Sequence, residues 1–356
     1  MDIEEIITKI QPLDLNAQNL ARTRQDSLIK PLGSLGRLEE LSVQLAGITG
    51  DMTRRFIKKA IVIMCADNGV YEEGVSAAPQ SFTLMQTLNF QKGITGVSVL
   101  SKLSNSKMVV VDIGVNGNIV SENVVNKKIR KGTNNLAKEP AMTRDEVIQA
   151  IIIGFEEVQK LQLMGFSVVG TGEMGLGNTT TSSLILMALT DCSVDDAVGK
   201  GAGLSDEDFV HKKEIVQKAF DYHKPDKNDP IGVLEKVGGF DIAGLVGVYL
   251  GAAYFRFPVV IDGVISASAA LLAFQLCPKI RDFMIPSHGS REPGYNIAIQ
   301  KLGMKPYFDL EMRLGEGSGC PFTFLLIDAA QMILNQMATF DNTAMDNNKL
   351  IDIRKP

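Results

Sequence analysis

Residues 60 to 66 read Ala-Ile-Val-Ile-Met-Cys-Ala and run directly into Asp67-Asn68-Gly69. Seven apolar residues, three of them β-branched in a row, are too few for an ordinary helix and leave no polar face, as in a strand buried on both sides. Similar runs recur: Met108 to Val111 leads into Asp112, Phe166 to Val169 into Gly170, Pro258 to Ile261 into Asp262, and Phe283 to Ile285 follows. Helical apolar spacing fills the intervals, so the rhythm predicts an α/β fold with a mainly parallel sheet. Such sheets bind ligands beyond the carboxyl ends of their strands, which is expected to bring Asp67, Asp112, Gly170 and Asp262 around one cleft.

The segments before about Lys58 and after about Phe322 carry amphipathic helical patterns and no strand signal. The expected architecture is a Rossmann-like sheet with flanking helices over residues 58–322, plus a small helical domain formed by both chain ends, 1–57 and 323–356. Residues 201 to 230 are polar and read as an excursion between core elements.

Composition narrows the function. Among 356 residues, 36 Lys and Arg against 41 Asp and Glu give a net charge of −5, with 45% hydrophobic and 22% charged residues. That balance leaves no electrostatic footprint for nucleic acid or an anionic membrane, so any phosphate must be held locally by loops. Four dispersed cysteines and three isolated histidines offer neither a disulfide framework nor metal-ligand spacing, and no metal is expected. The acidic start Met-Asp-Ile-Glu-Glu has no apolar leader core, and no apolar run approaches the ~18 residues of a membrane span, so a cytoplasmic location is expected.

Three segments can carry chemistry. Gly-Thr-Gly-Glu-Met-Gly-Leu-Gly-Asn-Thr-Thr-Thr-Ser-Ser (170 to 183) precedes a helical pattern, as a glycine-rich turn presenting backbone N–H groups to an anion would. It lacks the Gly-Lys-Ser/Thr ending of a Walker A loop. Ser287 to Gly294 (SHGSREPG) is a second small, polar cluster just past an expected strand. Glu316 stands between Gly315 and Gly317, where glycines permit a left-handed turn that aims a carboxylate into a cleft. Partly desolvated there, it becomes a proton acceptor. Taken singly, each segment also reads as an ordinary turn or helix cap.

Together these segments resemble the nicotinate-nucleotide:dimethylbenzimidazole phosphoribosyltransferases, which build the lower nucleotide loop of cobamides. The matching motifs are KPLGSLGRLE (30 to 39), ADNGVYEEGVSAAPQ (66 to 80), VVDIGV (110 to 115), GTGEMGLGNTTT (170 to 181), VGGFDIAGLVG (237 to 247), VVIDG (259 to 263), SHGSREPG (287 to 294) and RLGEGSG (313 to 319). The resemblance implies transfer of phosphoribose from nicotinate mononucleotide, a substrate rather than a cofactor, to an aromatic base or phenol with anomeric inversion. It further implies Glu316 as general base, Glu173 and Lys212 as other polar catalytic residues, and Gly175, Gly177, Asn178, Thr179, Ser290 and Gly315 as nucleotide-binding. Gln86, Ala78 and Leu314 are the implied acceptor-binding positions, and a homodimer, or a heterodimer with a paralogue, the implied assembly.

The chain departs from the family pattern at Asn68, usually histidine, at Ala78, usually larger or hydroxylated, and at Asp241, usually glutamate. These changes are expected near the acceptor, altering its choice. Other readings are transfer to a different acceptor, hydrolysis by water, and a catalytically weak nucleotide-binding subunit supporting an active paralogue.

Overall fold

The computed structural model describes residues 2–201, 203–343, 345 and 351–354. Strands β1 (Lys59–Ala66), β2 (Lys107–Gly114), β3 (Val124–Asn126), β4 (Val168–Met174), β5 (Val259–Ile261) and β6 (Met284–Pro286) form one sheet in the order β3-β2-β1-β4-β5-β6. Every neighbouring pair is parallel. The chain reverses its direction of travel across the sheet between β1 and β4, the kind of switch point at which open parallel sheets bind their ligands. All five apolar runs seen in the sequence become strands. β3 is only three residues long and sits at an edge, too short a pattern to stand out.

β1 is buried along its whole length. Its side chains alternate between two cores: Ala60, Val62 and Met64 face one helical layer, while Ile61, Ile63 and Cys65 face the other. In the first layer the helix Phe240–Tyr254 lies against Arg144–Leu163. A Cβ at Gly154 would stand 1.9 Å from the Gly244 carbonyl oxygen, and one at Gly247 would stand 1.8 Å from that of Ile151. The two helices therefore touch backbone to backbone, which only glycine permits. In the second layer, Phe90, Val97, Phe324 and Ile327 cover the sheet from the helices Ser81–Lys92, Gly96–Leu103 and Cys320–Gln336. Each such side chain contributes about 1.5–3 kcal/mol by leaving water.

At the chain ends, the helices Leu15–Ser27 and Arg37–Thr49 share an apolar cluster with Leu334. Arg24 adds hydrogen bonds to the carbonyls of Leu334 and Met337 at 3.2 and 2.9 Å. From the second of these helices, the Gln44 amide donates to the carbonyls of Asp282 (2.9 Å) and Met284 (3.0 Å), alongside the edge strand β6. The polar excursion after residue 200 holds the helix Asp206–His223, whose Lys212 is turned inward.

Candidate active site

The glycines at 170 and 172 are strand, not turn. Residues 170–174 continue β4, and the glycine-rich turn shrinks to the residues just after Met174. A Cβ on Gly172 would lie 2.4 Å from the Glu316 carbonyl oxygen, and one on Gly170 would lie 2.6 Å from the Cys320 Sγ. Bare strand there lets the 315–320 segment lie directly on the sheet. Gly170 is accordingly inside the fold rather than on the cleft rim. Asp112 is committed elsewhere too, accepting from Val115 N–H (2.9 Å) and pairing with Lys128 (3.0 Å).

Three consecutive residues take left-handed backbone: Gly315 (φ +78°), Glu316 (+64°) and Gly317 (+91°). For glutamate this conformation costs on the order of 1–3 kcal/mol and persists only where its surroundings hold it. Here the Glu316 N–H donates to Glu173 Oε1 (3.3 Å), while Gly317 and Gly319 N–H donate to the two oxygens of Asp262 (3.0 and 2.7 Å). The resulting turn drives the Glu316 side chain inward, leaving the residue 6% exposed. Its Oε1 accepts from Gln86 Nε2 at 2.6 Å, and its Oε2 accepts from Val97 N–H at 3.2 Å, at the start of the helix capped by Thr95. Burial pushes the carboxyl pKa up, and the Gln86 and backbone donors pull part of that back.

Glu173 and Asp241 form a second acidic centre beneath this loop. Both accept from Asn178 Nδ2, Glu173 at 2.5 Å and Asp241 at 3.1 Å. Burial, with repulsion from Asp241 next, raises Glu173 to about 8; burial raises Asp241 to about 7. Asn68 is buried here, and its side chain and that of Asp241 both crowd the space beside Gly175 and Gly239. Two of the sequence departures therefore occupy one spot under the glycine-rich turn.

The turn leads into the helix Asn178–Thr190, with Gly177 (φ +88°) at its N-cap. Thr83 Oγ1 accepts from Leu176 N–H at 3.2 Å and docks the helix carrying Gln86 onto the same turn. Lys212 lies on the far side, donating to Thr179 Oγ1 (2.8 Å) and the Gly199 carbonyl (3.1 Å). Burial lowers its pKa to about 8, opposed by the nearby Glu292. Ser290 Oγ accepts from Glu292 N–H at 3.3 Å, so the 287–294 cluster meets the lysine through Glu292. A helix N-terminus, threonine hydroxyls and a buried ammonium at one place suit a phosphate.

Of the implied acceptor residues, Gln86 touches Glu316 directly. Leu314, 56% exposed, projects past Gly96: a Cβ on Gly96 would be 2.4 Å from Leu314 Cδ2 and 3.3 Å from Glu316 Oε2. Ala78 is half-buried in the loop before the Gln86 helix. The Gly96 and Val97 N–H groups that favour the Glu316 carboxylate have no side-chain signature, although Thr95-Gly96 ahead of an apolar stretch carries a helix N-cap signature. Among the described residues, no group of three or more His, Cys, Asp or Glu is placed to hold a metal ion.

The family model described as phosphoribosyltransferase matches residues 10–345. The nicotinate-nucleotide–dimethylbenzimidazole phosphoribosyltransferase of Ruminiclostridium cellulolyticum is 52% identical over 352 residues, 99% of this chain and 100% of that one. The enzyme of the same name from Clostridium perfringens (ATCC 13124) is 49% identical over 99% of this chain and 98% of its own. The crystal structure of CobT from Thermus thermophilus superposes with a TM-score of 0.88 at 35% identity, covering 92% of this chain and 98% of that one. With a parallel sheet of this order carrying a buried carboxylate on a glycine turn, the chain belongs to the nicotinate-nucleotide–dimethylbenzimidazole phosphoribosyltransferase family.

Proposed function

We propose that the chain transfers phosphoribose from nicotinate mononucleotide to an aromatic base for the lower ligand of a cobamide, inverting the anomeric carbon. Nicotinate in its mononucleotide is an N-linked pyridinium. When its bond to the sugar breaks, the electron pair returns to the ring nitrogen, and the leaving group needs no proton. One carboxylate therefore suffices, where an ordinary glycoside oxygen needs two. As a ring nitrogen of the base attacks the opposite face of the sugar carbon, Glu316 takes the proton lost from the ring N–H.

The observation that carries this reading is Glu316 itself, a buried carboxylate with a raised pKa, aimed by a left-handed turn and gripped by Gln86. Glu173 holds the backbone of that turn, and the Asn178 helix start with Lys212 receives the phosphate. The substrates alone supply the chemistry in this account, with no cofactor. A catalytically weak partner subunit is the less favoured reading, because the chain keeps the Glu316 carboxylate and its Gln86 donor and matches enzymes of this name along almost its whole length.

The reading extends to a two-chain assembly. Val99 and Leu103 on one helix and Leu325 and Met332 on its packed neighbour are exposed, at spacings that put each pair on a single face. An apolar face of this kind suits a second subunit. No described helix is long and apolar enough to cross a membrane, and the reading places the reaction in the cytoplasm.

Replacing Glu316 by Gln keeps the shape and removes the base. Turnover with nicotinate mononucleotide and 5,6-dimethylbenzimidazole should fall by about 10² to 10⁴. An unaltered rate would require the mechanism to be dropped. Running the unmodified protein on benzimidazoles, adenine and phenols tests the acceptor separately. Sole use of 5,6-dimethylbenzimidazole would remove the case for a pocket altered by Asn68, Ala78 and Asp241.

A further inference from the structure

We infer that Asp262 is the positioning residue that sets the aim of Glu316, a role that rests on Glu316 being the base. Asp262 leaves the carboxyl end of β5 and is 2% exposed. Both of its oxygens are spent on the catalytic turn: Oδ2 accepts from Gly317 N–H at 3.0 Å and Oδ1 from Gly319 N–H at 2.7 Å. These donors flank Ser318 and begin immediately after the base. A two-point carboxylate grip fixes both the height and the tilt of the turn, which a single hydrogen bond would leave free to rotate.

The grip also ties the base to the loop beyond β6. Ser287 Oγ donates to the Asp262 carbonyl at 3.3 Å and meets His288 Nδ1 at 3.0 Å, while His288 Nδ1 lies 3.8 Å from Asp262 Oδ1. Burial lowers the His288 pKa to about 4, so near neutral pH the ring carries no charge and does not compete for the carboxylate. Gly319 closes the arrangement: a Cβ there would be 2.3 Å from His288 Nδ1, 2.5 Å from Ser287 Oγ and 2.9 Å from Asp262 Oδ1. Asp262 thus stands where the base turn and the 287–294 segment meet. It touches neither reacting atom and acts through the backbone of residues 317 and 319.

Asp262→Asn keeps the volume, leaves one acceptor and turns the other into a donor facing an N–H. A displacement of the base by about 1 Å is expected to lower kcat by about 10²-fold. KM for nicotinate mononucleotide should stay within a few-fold, because the phosphate end is untouched. The decisive measurement is the four-member cycle of the unmodified protein, Asp262→Asn, Glu316→Gln and the double variant, assayed for kcat with soluble protein of known melting temperature. If Asp262 works through the base, Asp262→Asn costs little once Glu316 is already Gln.

Equal fractional losses in both backgrounds, as a purely structural role would give, would overturn the inference and leave the base reading standing. Full activity of Asp262→Asn would do the same. Unimpaired Glu316→Gln would remove both. Should Asp262→Asn fail to yield folded protein, Asp262→Ser, which keeps one small acceptor and whose O–H can rotate away from the N–H groups, takes its place in the same cycle with the same criteria.

Discussion

The Gln86 side-chain amide donates to Glu316 Oε1 at 2.6 Å, joining two residues 230 positions apart. That bond favours the charged carboxylate, so it opposes the upward push of burial. Gln86→Met keeps the length and removes the donor. The Glu316 pKa should then rise further, moving the acid limb of the kcat/KM profile to higher pH. Activity should fall more at about pH 6 than at about pH 8.5, because the base needs its proton removed before it can act. Profiles of the two proteins that coincide would show that this bond does not tune the base.

Gly172→Ala tests the landing of the base turn on β4. The new methyl would stand 2.4 Å from the Glu316 carbonyl and 3.1 Å from Ile63 Cγ1, so the turn has to lift. We expect kcat to fall about 10²-fold through misplacement of the base. A stability loss of about 1–3 kcal/mol by denaturant unfolding should accompany it.

Glu173, Asp241 and Asp262 have folded pKa values raised to about 8, 7 and 7 by burial. Unfolded, they titrate near the ordinary carboxylate values of about 4. The folded state therefore binds more protons between about pH 4 and pH 8, and its stability falls as pH rises through that window. The melting temperature should be higher at about pH 6 than at about pH 8.5. Glu173→Gln, which cannot ionise, should flatten that slope. A slope unaffected by the substitution would show that Glu173 is not among the groups responsible.

Lys212, with its pKa lowered to about 8, loses charge above that pH in the free protein. The kcat/KM for nicotinate mononucleotide should accordingly decline above about pH 8. Lys212→Met should raise KM for the nucleotide by about 10- to 100-fold, the worth of one charge-assisted hydrogen bond. KM for the base should change little. Steady-state kinetics with each substrate varied in turn checks both halves.

The sheet and the left-handed turn that buries Glu316 were legible in the sequence for physical reasons. Double-sided burial writes a strand as an unbroken apolar run, as in residues 60 to 66, and Gly-Glu-Gly marks a place where backbone must turn left-handed. The stretch Gly170-Thr171-Gly172-Glu173 misled because its glycines serve a contact with residues 316 to 320, nearly 150 positions away, and nothing local distinguishes such glycines from those of a turn. Asp262 was expected at the cleft, yet its grip on two backbone N–H groups has no side-chain signature at the other end. The Gly96 and Val97 donors are equally silent, since any residue supplies an N–H. Asn68 and Asp241 stand as separate oddities in the sequence, and folding puts them side by side.

The Gln44 contact with β6 bears on solubility. A sheet that ended with a free carbonyl at Met284 would invite a strand from another molecule, and growth by that route leads towards fibrils. The glutamine amide occupies this carbonyl, and Pro286, two residues on, has no N–H to offer an incoming strand. Molecules crowded together are thus barred from extending their sheets through this margin, and they can meet side by side without polymerising there.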